Sequence, residues 1–262
     1  MRERLAGPRL KWFLLASVIL PYLVCCCGAV EFHWFAAVRL CALALTICLW
    51  YVALPVSALT DLAFLAIFPA ILLGGYFDSI YPPYLGQKLN VLGHVTFLPV
   101  FVLVLMLQRR VRETGYGFVP DRREWLIGLL HYLYFLPIGG AAALLLRAVR
   151  PHEPVALWKI VGTFLGFLWV IGLSEEFFVR GVLQQWIEDW TSSRTAALAI
   201  ASAIFGLAHL GFRGFPFPNW RWALLAGIMG WFCGRARNQA GSIRASAVTH
   251  ALVVATWRAV LG

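Results

Sequence analysis

The sequence predicts an all-α protein whose helices cross a lipid bilayer several times. Of its 262 residues, 61% are hydrophobic and only 13% are charged, whereas a soluble domain carries about 25% charged residues. The mean hydropathy is +0.78, and several apolar runs approach the roughly 20 residues that a helix needs to span a bilayer. These observations exclude an ordinary soluble globular protein and favour a polytopic transmembrane helix bundle.

Nine apolar segments follow one another along the chain, and each is a candidate span. They fall at about 10–30, 34–56, 58–77, 89–107, 125–146, 156–187, 195–210, 220–234 and 245–261. The segments 195–210 and 220–234 are short, so they can be spans only among other helices or where the bilayer is thin. We therefore expect about eight to nine spans.

The basic residues indicate the orientation of these spans. The chain carries 22 Lys and Arg against 12 Asp and Glu, a net charge of +10. If the spans alternate, thirteen basic residues fall on the side of the N-terminus and six on the other side, which predicts a cytoplasmic N-terminus. Because no soluble domain or aromatic-interleaved basic patch carries these charges, we expect no nucleic-acid partner.

The chain can be divided into two regions by the presence or absence of recognisable motifs. Residues 1–150 are predicted to form N-terminal transmembrane helices without a recognised motif, and residues 151–262 to hold the chemistry, within one integrated membrane domain. The first apolar segment is longer than a signal-peptide core, so we expect it to be retained as a span.

A pair of carboxylates and an arginine end a long apolar stretch in the second half. Ionisable residues inside spans are costly and need a reason. Glu176 and Arg180 are four positions apart, so they share a helix face and can pair. Glu175 is turned about 100° away from Glu176 and can face another group. A desolvated carboxylate beside a second one has a raised pKa, which suits a general base.

Two histidines lie on later apolar helices. His209 ends a helix rich in small residues that allow close helix approach, and His250 lies within the last span. A glutamate and a histidine can activate a water, and a second histidine can hold the substrate amide. We therefore expect Glu175, His209 and His250 to form a catalytic site for amide hydrolysis between the C-terminal helices.

Two other chemistries compete with this interpretation. Two histidines and a carboxylate are a common catalytic zinc set, but the compact His-Glu-x-x-His motif is absent from the sequence. Cys233, close to Arg235, is a weak match to a sortase-like cysteine arrangement. We therefore expect a site without a metal or other cofactor.

At these residues the sequence resembles the CPBP family, also called the Abi or type II CAAX prenyl endopeptidase family of glutamic intramembrane proteases. The family's first motif, E-E-x-x-x-R, is matched by Glu175, Glu176 and Arg180, and its second, F-x-x-x-H, by Phe205 and His209. The resemblance covers roughly residues 155–261. It implies that Glu175 activates water with His209, while Glu176 and Arg180 brace the site.

The third motif of the family departs from its pattern here. In H-x-x-x-N the histidine is matched by His250, which the resemblance assigns to substrate polarisation, but Val254 stands where the family has Asn or Asp. Ser246 shares a face with His250 one turn earlier, although it cannot occupy the same place. Loss of one oxyanion donor costs about 100- to 1,000-fold in well-studied hydrolases.

The resemblance implies an endopeptidase that lies in the lipid bilayer and cleaves a membrane-anchored protein or peptide near its C-terminus. Arginine outnumbers lysine nineteen to three, which favours a GC-rich bacterial genome and the bacterial inner membrane. A C-terminal sorting signal is then a better expectation than a CAAX sequence. The alternatives are a non-catalytic scaffold or immunity protein of the same family, and a proton-coupled transporter. The sequence carries no signal for an oligomeric state.

Overall fold

A computed structural model describes residues 8–28, 30–81, 91–111, 114–148, 153, 155–211 and 217–260 of the chain. Within these ranges the chain forms helices and turns and no β-strand. The all-α prediction is confirmed for the part of the chain that is described.

The helices pack into two compact units, Met1–Arg112 and Glu113–Gly262. Helix Arg122–Leu145 belongs to the second unit because it packs on the helices Trp220–Ala240 and Ile243–Val260. The unit that contains the motifs therefore includes one helix, Arg122–Leu145, that lies before the 150/151 boundary expected from the motifs.

The first unit contains five α-helices among its described residues. They are α1 (Pro8–Ala16), α2 (Leu20–Cys26), α3 (Trp34–Ala53), α4 (Ala58–Leu73) and, after a 3-10 turn (Tyr76–Ser79), α5 (Val91–Phe101), which continues as a π-helix (Val102–Gln108). An ion pair between the buried Asp61 and the partly exposed Arg109 joins α4 to the end of this π-helix, since Arg109 Nη2 lies 2.7 Å from Asp61 Oδ2. Tyr51 donates a hydrogen bond of 2.8 Å to the same carboxylate.

The second unit carries the sequence motifs. Its helices are α6 (Arg122–Leu145), α7 (Leu157–Trp169), α8 (Ile171–Glu176), a π-helix (Phe177–Leu183), α9 (Gln184–Thr191), α10 (Arg194–Leu207), α11 (Trp220–Ala240) and α12 (Ile243–Val260). The predicted segment 156–187 is thus broken at Val170, whose φ of −123° and ψ of −78° lie outside the helical region.

Small residues let α10 and α11 approach closely, as the sequence predicts. A Cβ atom on Gly206 would lie 2.6 Å from the carbonyl oxygen of Ala223 and 3.1 Å from Cα of Gly227. The backbones of the two helices therefore approach too closely for a side chain at position 206, which is typical of small-residue interfaces between membrane helices. They bring the segment that precedes His209 against α11.

A short segment before α6 is fixed against the start of α12. The amide of Ile243 donates to the carbonyl oxygen of Thr114 (3.2 Å), and Ser242 Oγ donates to that of Gly115 (3.1 Å). Gly115 has φ +63°, and a Cβ atom there would lie 2.6 Å from Ser242 Oγ, so the position requires glycine. The next residue, Tyr116, places its ring 5.4 Å from that of Phe177, the first residue of the π-helix.

The chain is an integral membrane protein. Among the described residues, four helical segments are long and apolar enough to cross a bilayer: Trp34–Ala53, Val91–Gln108, Arg122–Leu145 and Leu157–Thr191; Ala58–Leu72 and Arg194–Leu207 are shorter apolar helices. Large apolar side chains such as Trp34, Leu145 and Trp158 are exposed, as expected where lipid replaces water. The total of eight to nine spans and the orientation stay predictions.

Candidate active site

The two carboxylates of the first motif lie where an α-helix changes into a π-helix. Glu175 and Glu176 end α8, and the π-helix begins at Phe177. Single turns of π-helix are rare and often mark functional sites because they shift the side chains that follow. Arg180 lies inside this π-helix.

Glu176 is fully buried and has two charged or polar neighbours. Its Oε2 atom lies 3.3 Å from Nε of Arg180, so the pair expected from the sequence is present. Its Oε1 atom lies 2.8 Å from Nδ1 of His250 on α12. One carboxylate therefore connects the first motif to the third across 74 positions of sequence.

Arg180 is also fully buried, and α11 accommodates it. Its Nη2 atom donates a 2.9 Å hydrogen bond to the carbonyl oxygen of Gly230, and a Cβ atom on Gly230 would lie 3.0 Å from Nη2. The guanidinium also lies over the ring of Phe205, 4.6 Å from its centroid. A buried charge needs such partners because its desolvation costs several kcal/mol.

Glu175 differs from Glu176 in its exposure, as their angular separation predicts. Its side chain is 21% exposed, whereas that of Glu176 is 0% exposed, and its Oε2 atom lies 3.8 Å from Nε2 of His250. The imidazole of His250 therefore lies between the two carboxylates of the first motif.

His250 is 2% exposed, and aromatic side chains surround it. Its ring centroid is 5.6 Å from that of Phe167 and 6.0 Å from that of Phe205. An ionised carboxylate only accepts hydrogen bonds, so Nδ1–H of His250 donates to Glu176. In the neutral ring, Nε2 then carries the lone pair on the side of Glu175.

His209 lies just after α10 and is oriented by its own backbone. Its Nδ1 atom is 2.8 Å from the carbonyl oxygen of Phe205, and its ring centroid is 4.7 Å from that of Phe205. Because a carbonyl only accepts, Nδ1 must donate, and Nε2 of the neutral ring can accept a proton. Phe205 thus contacts Arg180, His209 and His250, which explains why an aromatic residue is useful in the second motif.

Neither Ser246 nor Val254 offers a hydrogen-bond donor to the carboxylates of Glu175 and Glu176. Ser246 is buried and donates to the carbonyl oxygen of Ile243 at 2.8 Å, within its own helix. Val254 is half-buried and packs against a cluster that includes Phe135, Phe205 and Val253. Neither side chain therefore replaces the amide of the family's asparagine.

Cys233 is a member of the site that the motifs do not include. Its Sγ atom, a carboxylate oxygen of Glu176 and a ring nitrogen of His250 all lie within 4.8 Å of one another, and all three residues are buried. This is the one described group of residues that could hold a metal ion. However, the guanidinium of Arg180 already neutralises Glu176, so a divalent cation here would meet a positive charge at short range.

Some features of the site could have been found in the sequence and others could not. Gly230, Cys233 and Gly234 form a stripe of small residues on α11, and this spacing is a signal for close helix approach. Nothing in the sequence indicates the contact of Phe167 with His250, because it joins residues 83 positions apart through tertiary packing.

Comparison with known proteins agrees with the motifs. Residues 157–256 match the family model described as "Type II CAAX prenyl endopeptidase Rce1-like", a range that includes every residue described above at the carboxylates and histidines. No match was found among curated proteins or solved structures. Residues 157–256 of this membrane protein are therefore similar to the Rce1-like domain of the type II CAAX prenyl endopeptidases, a family of proteases.

Proposed function

We propose that this protein is a glutamic intramembrane endopeptidase that hydrolyses a peptide bond without a metal ion. The observation that carries the proposal is the position of His250, whose Nδ1 lies 2.8 Å from Glu176 and whose Nε2 lies 3.8 Å from Glu175. A buried carboxylate that orients an imidazole beside a second, accessible carboxylate is suited to acid–base chemistry.

In the proposed reaction, Glu175 removes a proton from a water molecule that His209 helps to hold. The water oxygen attacks the scissile carbonyl carbon, and the carbonyl oxygen becomes an oxyanion. The proton taken by Glu175 then passes to the leaving amine as the C–N bond breaks. Water is consumed, and the products are a carboxylate and an amine.

His250 is proposed to stabilise the oxyanion through Nε2. Because Nδ1–H donates to Glu176, Nε2 donates only when the ring is protonated. Glu176 holds the ring in the orientation that this role needs, as the buried carboxylate orients the histidine in serine proteases. Arg180 in turn fixes Glu176, so both supporting residues act through His250.

We propose that the substrate is a membrane-anchored protein or peptide cut near its C-terminus. The protein is proposed to lie in a bacterial inner membrane with its N-terminus inside, where a C-terminal sorting signal is the expected target. A non-catalytic scaffold or immunity protein is the second candidate. It is favoured by Val254, which packs in an apolar cluster and offers no donor to an oxyanion.

The two candidates differ in the effect of Glu175→Gln. Membranes from cells that express the wild-type protein, Glu175→Gln or Asp189→Asn are compared by mass-spectrometric profiling of protein C-termini. Asp189 is an exposed carboxylate on α9, so its substitution is a matched control. We expect new C-termini with the wild-type protein and Asp189→Asn, and their loss with Glu175→Gln at an equal amount of folded protein.

Two outcomes would contradict the proposal. Identical C-termini with the wild-type protein and Glu175→Gln would exclude Glu175 as the base, and the absence of any new C-terminus would favour the non-catalytic candidate. Repeating the wild-type assay in a strong chelator tests the absence of a metal, since loss of cleavage that zinc restores would indicate a metal enzyme.

A further inference from the structure

Polar side chains continue from the site along one face of the motif helix. Gln184 and Glu188 follow Arg180 at steps of four residues, so they lie on the same side of the helix. Gln184, like Arg180, is fully buried, whereas the side chain of Glu188 is 25% exposed. Polarity along this face therefore extends from the buried site towards the surface.

Helix α11 supplies partners for these side chains. Gln184 Nε2 donates to Asn238 Oδ1 at 2.9 Å, and Arg237 Nη1 donates to the same oxygen at 3.1 Å. Arg237 also contacts Glu188 at 3.3 Å, and Glu188 accepts from Arg194 Nε at 2.9 Å. The side chains of Arg237 and Arg194 are 12% and 74% exposed.

We call this set the polar file; its members are Arg180, Gln184, Asn238, Arg237, Glu188 and Arg194. From Gln184 to Arg194 it is continuous through direct hydrogen bonds and ion pairs.

At its buried end the file contains three inaccessible polar atoms that make no hydrogen bond to any described residue: Nε and Nη1 of Arg180 and Oε1 of Gln184. Nε lies 3.3 Å from Oε2 of Glu176 in the ion pair, which leaves Nη1 and Oε1 for another partner. An unsatisfied buried polar atom costs about 1–3 kcal/mol, and more when it is charged. Buried water molecules commonly satisfy such groups.

Two glycines of α11 lie directly against the side chains of Arg180 and Gln184. Gly230 and Gly234 are one helical turn apart. A Cβ atom on Gly230 would lie 3.0 Å from Nη2 of Arg180, and one on Gly234 would lie 2.8 Å from Oε1 of Gln184. Because neither glycine has a side chain, the polar ends of Arg180 and Gln184 reach the backbone of α11.

We propose that Arg180 and Gln184 hold a buried water site, and that the polar file connects this site to the aqueous surface and supplies hydrolytic water to it. The supply role rests on the proposed function, because only a hydrolase consumes water at Glu175. The hydration of the site does not depend on that function. An apolar side chain at position 184, such as leucine, would fill the space of Gln184 but could not bind the water molecule.

Hydration is tested by pulsed hydroxyl-radical footprinting of the full-length protein in lipid nanodiscs. Radicals form from water, so a buried side chain is oxidised when bound water lies next to it. The reporter is Leu198, which is only 6% exposed and would be contacted by a Cβ atom on Gly234. We expect oxidation of Leu198 in the wild-type protein.

Gln184→Leu removes the polar group, and Asp189→Leu is its control at an exposed position of the same helix. We expect Gln184→Leu to lower the oxidation rate of Leu198 by about fivefold or more, since the water loses its partner, and Asp189→Leu to leave it unchanged. Absence of Leu198 oxidation in the wild-type protein, or an equal rate in Gln184→Leu, would overturn the water site. The wild-type result stands even if a variant fails to fold.

The supply role is tested with a substrate identified by C-terminal profiling. We expect Gln184→Leu to lower kcat by about tenfold with KM unchanged, because Gln184 is fully buried and a slower water supply affects turnover and not binding. A raised KM at constant kcat would overturn the supply role. If no substrate is cleaved at all, the proposed function fails, whereas the footprinting result still decides whether the water site exists.

Discussion

Nδ1 of His250 lies 2.8 Å from Oε1 of Glu176, and this hydrogen bond fixes the orientation of the imidazole at the centre of the site. The same ring presents Nε2 towards Glu175 at 3.8 Å. The two adjacent glutamates therefore differ in role: the buried one orients a histidine, and the partly exposed one can reach water.

Substitution of the orienting carboxylate tests this difference. Glu176→Gln can present its NH₂ group to Nδ1, which would favour the opposite tautomer of His250. A comparable substitution in serine proteases lowers kcat by about 10⁴-fold. We expect a loss of kcat of at least about 100-fold, with KM changed little. Wild-type kcat in this variant would show that the orientation of His250 does not matter.

The buried ion pair predicts a large stability effect at Arg180. Arg180→Met leaves the charge of Glu176 buried without its partner, which costs about 3–5 kcal/mol in comparable cases. The measurement is the free energy of unfolding in mixed micelles. The double variant Glu176→Gln with Arg180→Met should recover part of the loss, and an additive loss would contradict the coupling of the two charges.

The close contact between α10 and α11 predicts a steric effect at Gly206. Gly206→Ala places a methyl group 2.6 Å from the carbonyl oxygen of Ala223 and should destabilise the protein by about 1–3 kcal/mol. Gly166→Ala is the matched control because a Cβ atom there meets nothing within 4 Å. Equal thermal unfolding temperatures for the two variants would contradict the observed packing.

Val254 offers a test by gain of function. Val254→Asn introduces the amide of the family's third motif, and we expect kcat to rise by up to about 100-fold if an oxyanion donor is restored. We also expect a loss of stability of about 1–3 kcal/mol, since the amide enters an apolar cluster. Val253→Asn, in the same cluster, should lose stability without any gain in kcat, and an equal gain would contradict the role of position 254.

Local sequence patterns predicted much of the site. Helical spacing alone correctly paired Glu176 with Arg180 and separated Glu175 from them, and the small residues before His209 correctly indicated close helix packing. These features depend on residues within about one turn of each other or on the size of a side chain, so the sequence contains them directly.

The remaining features depend on tertiary contacts. The change from α-helix to π-helix at Phe177 adds a residue to each turn and leaves no mark in composition. The bond between His250 and Glu176 and the position of Cys233 beside them require the packing of α11 and α12 on the motif helix. The break at Val170 likewise lies in the middle of an uninterrupted apolar run.

The central claim is that Glu175 activates water and does not itself attack the peptide bond. The most direct measurement is a single turnover of an identified substrate in H₂¹⁸O, followed by mass spectrometry of the product and of the peptide that contains Glu175. The account predicts one ¹⁸O atom in the new C-terminal carboxylate and none in Glu175. Incorporation of ¹⁸O into the carboxylate of Glu175 would indicate an acyl-enzyme intermediate and would contradict it.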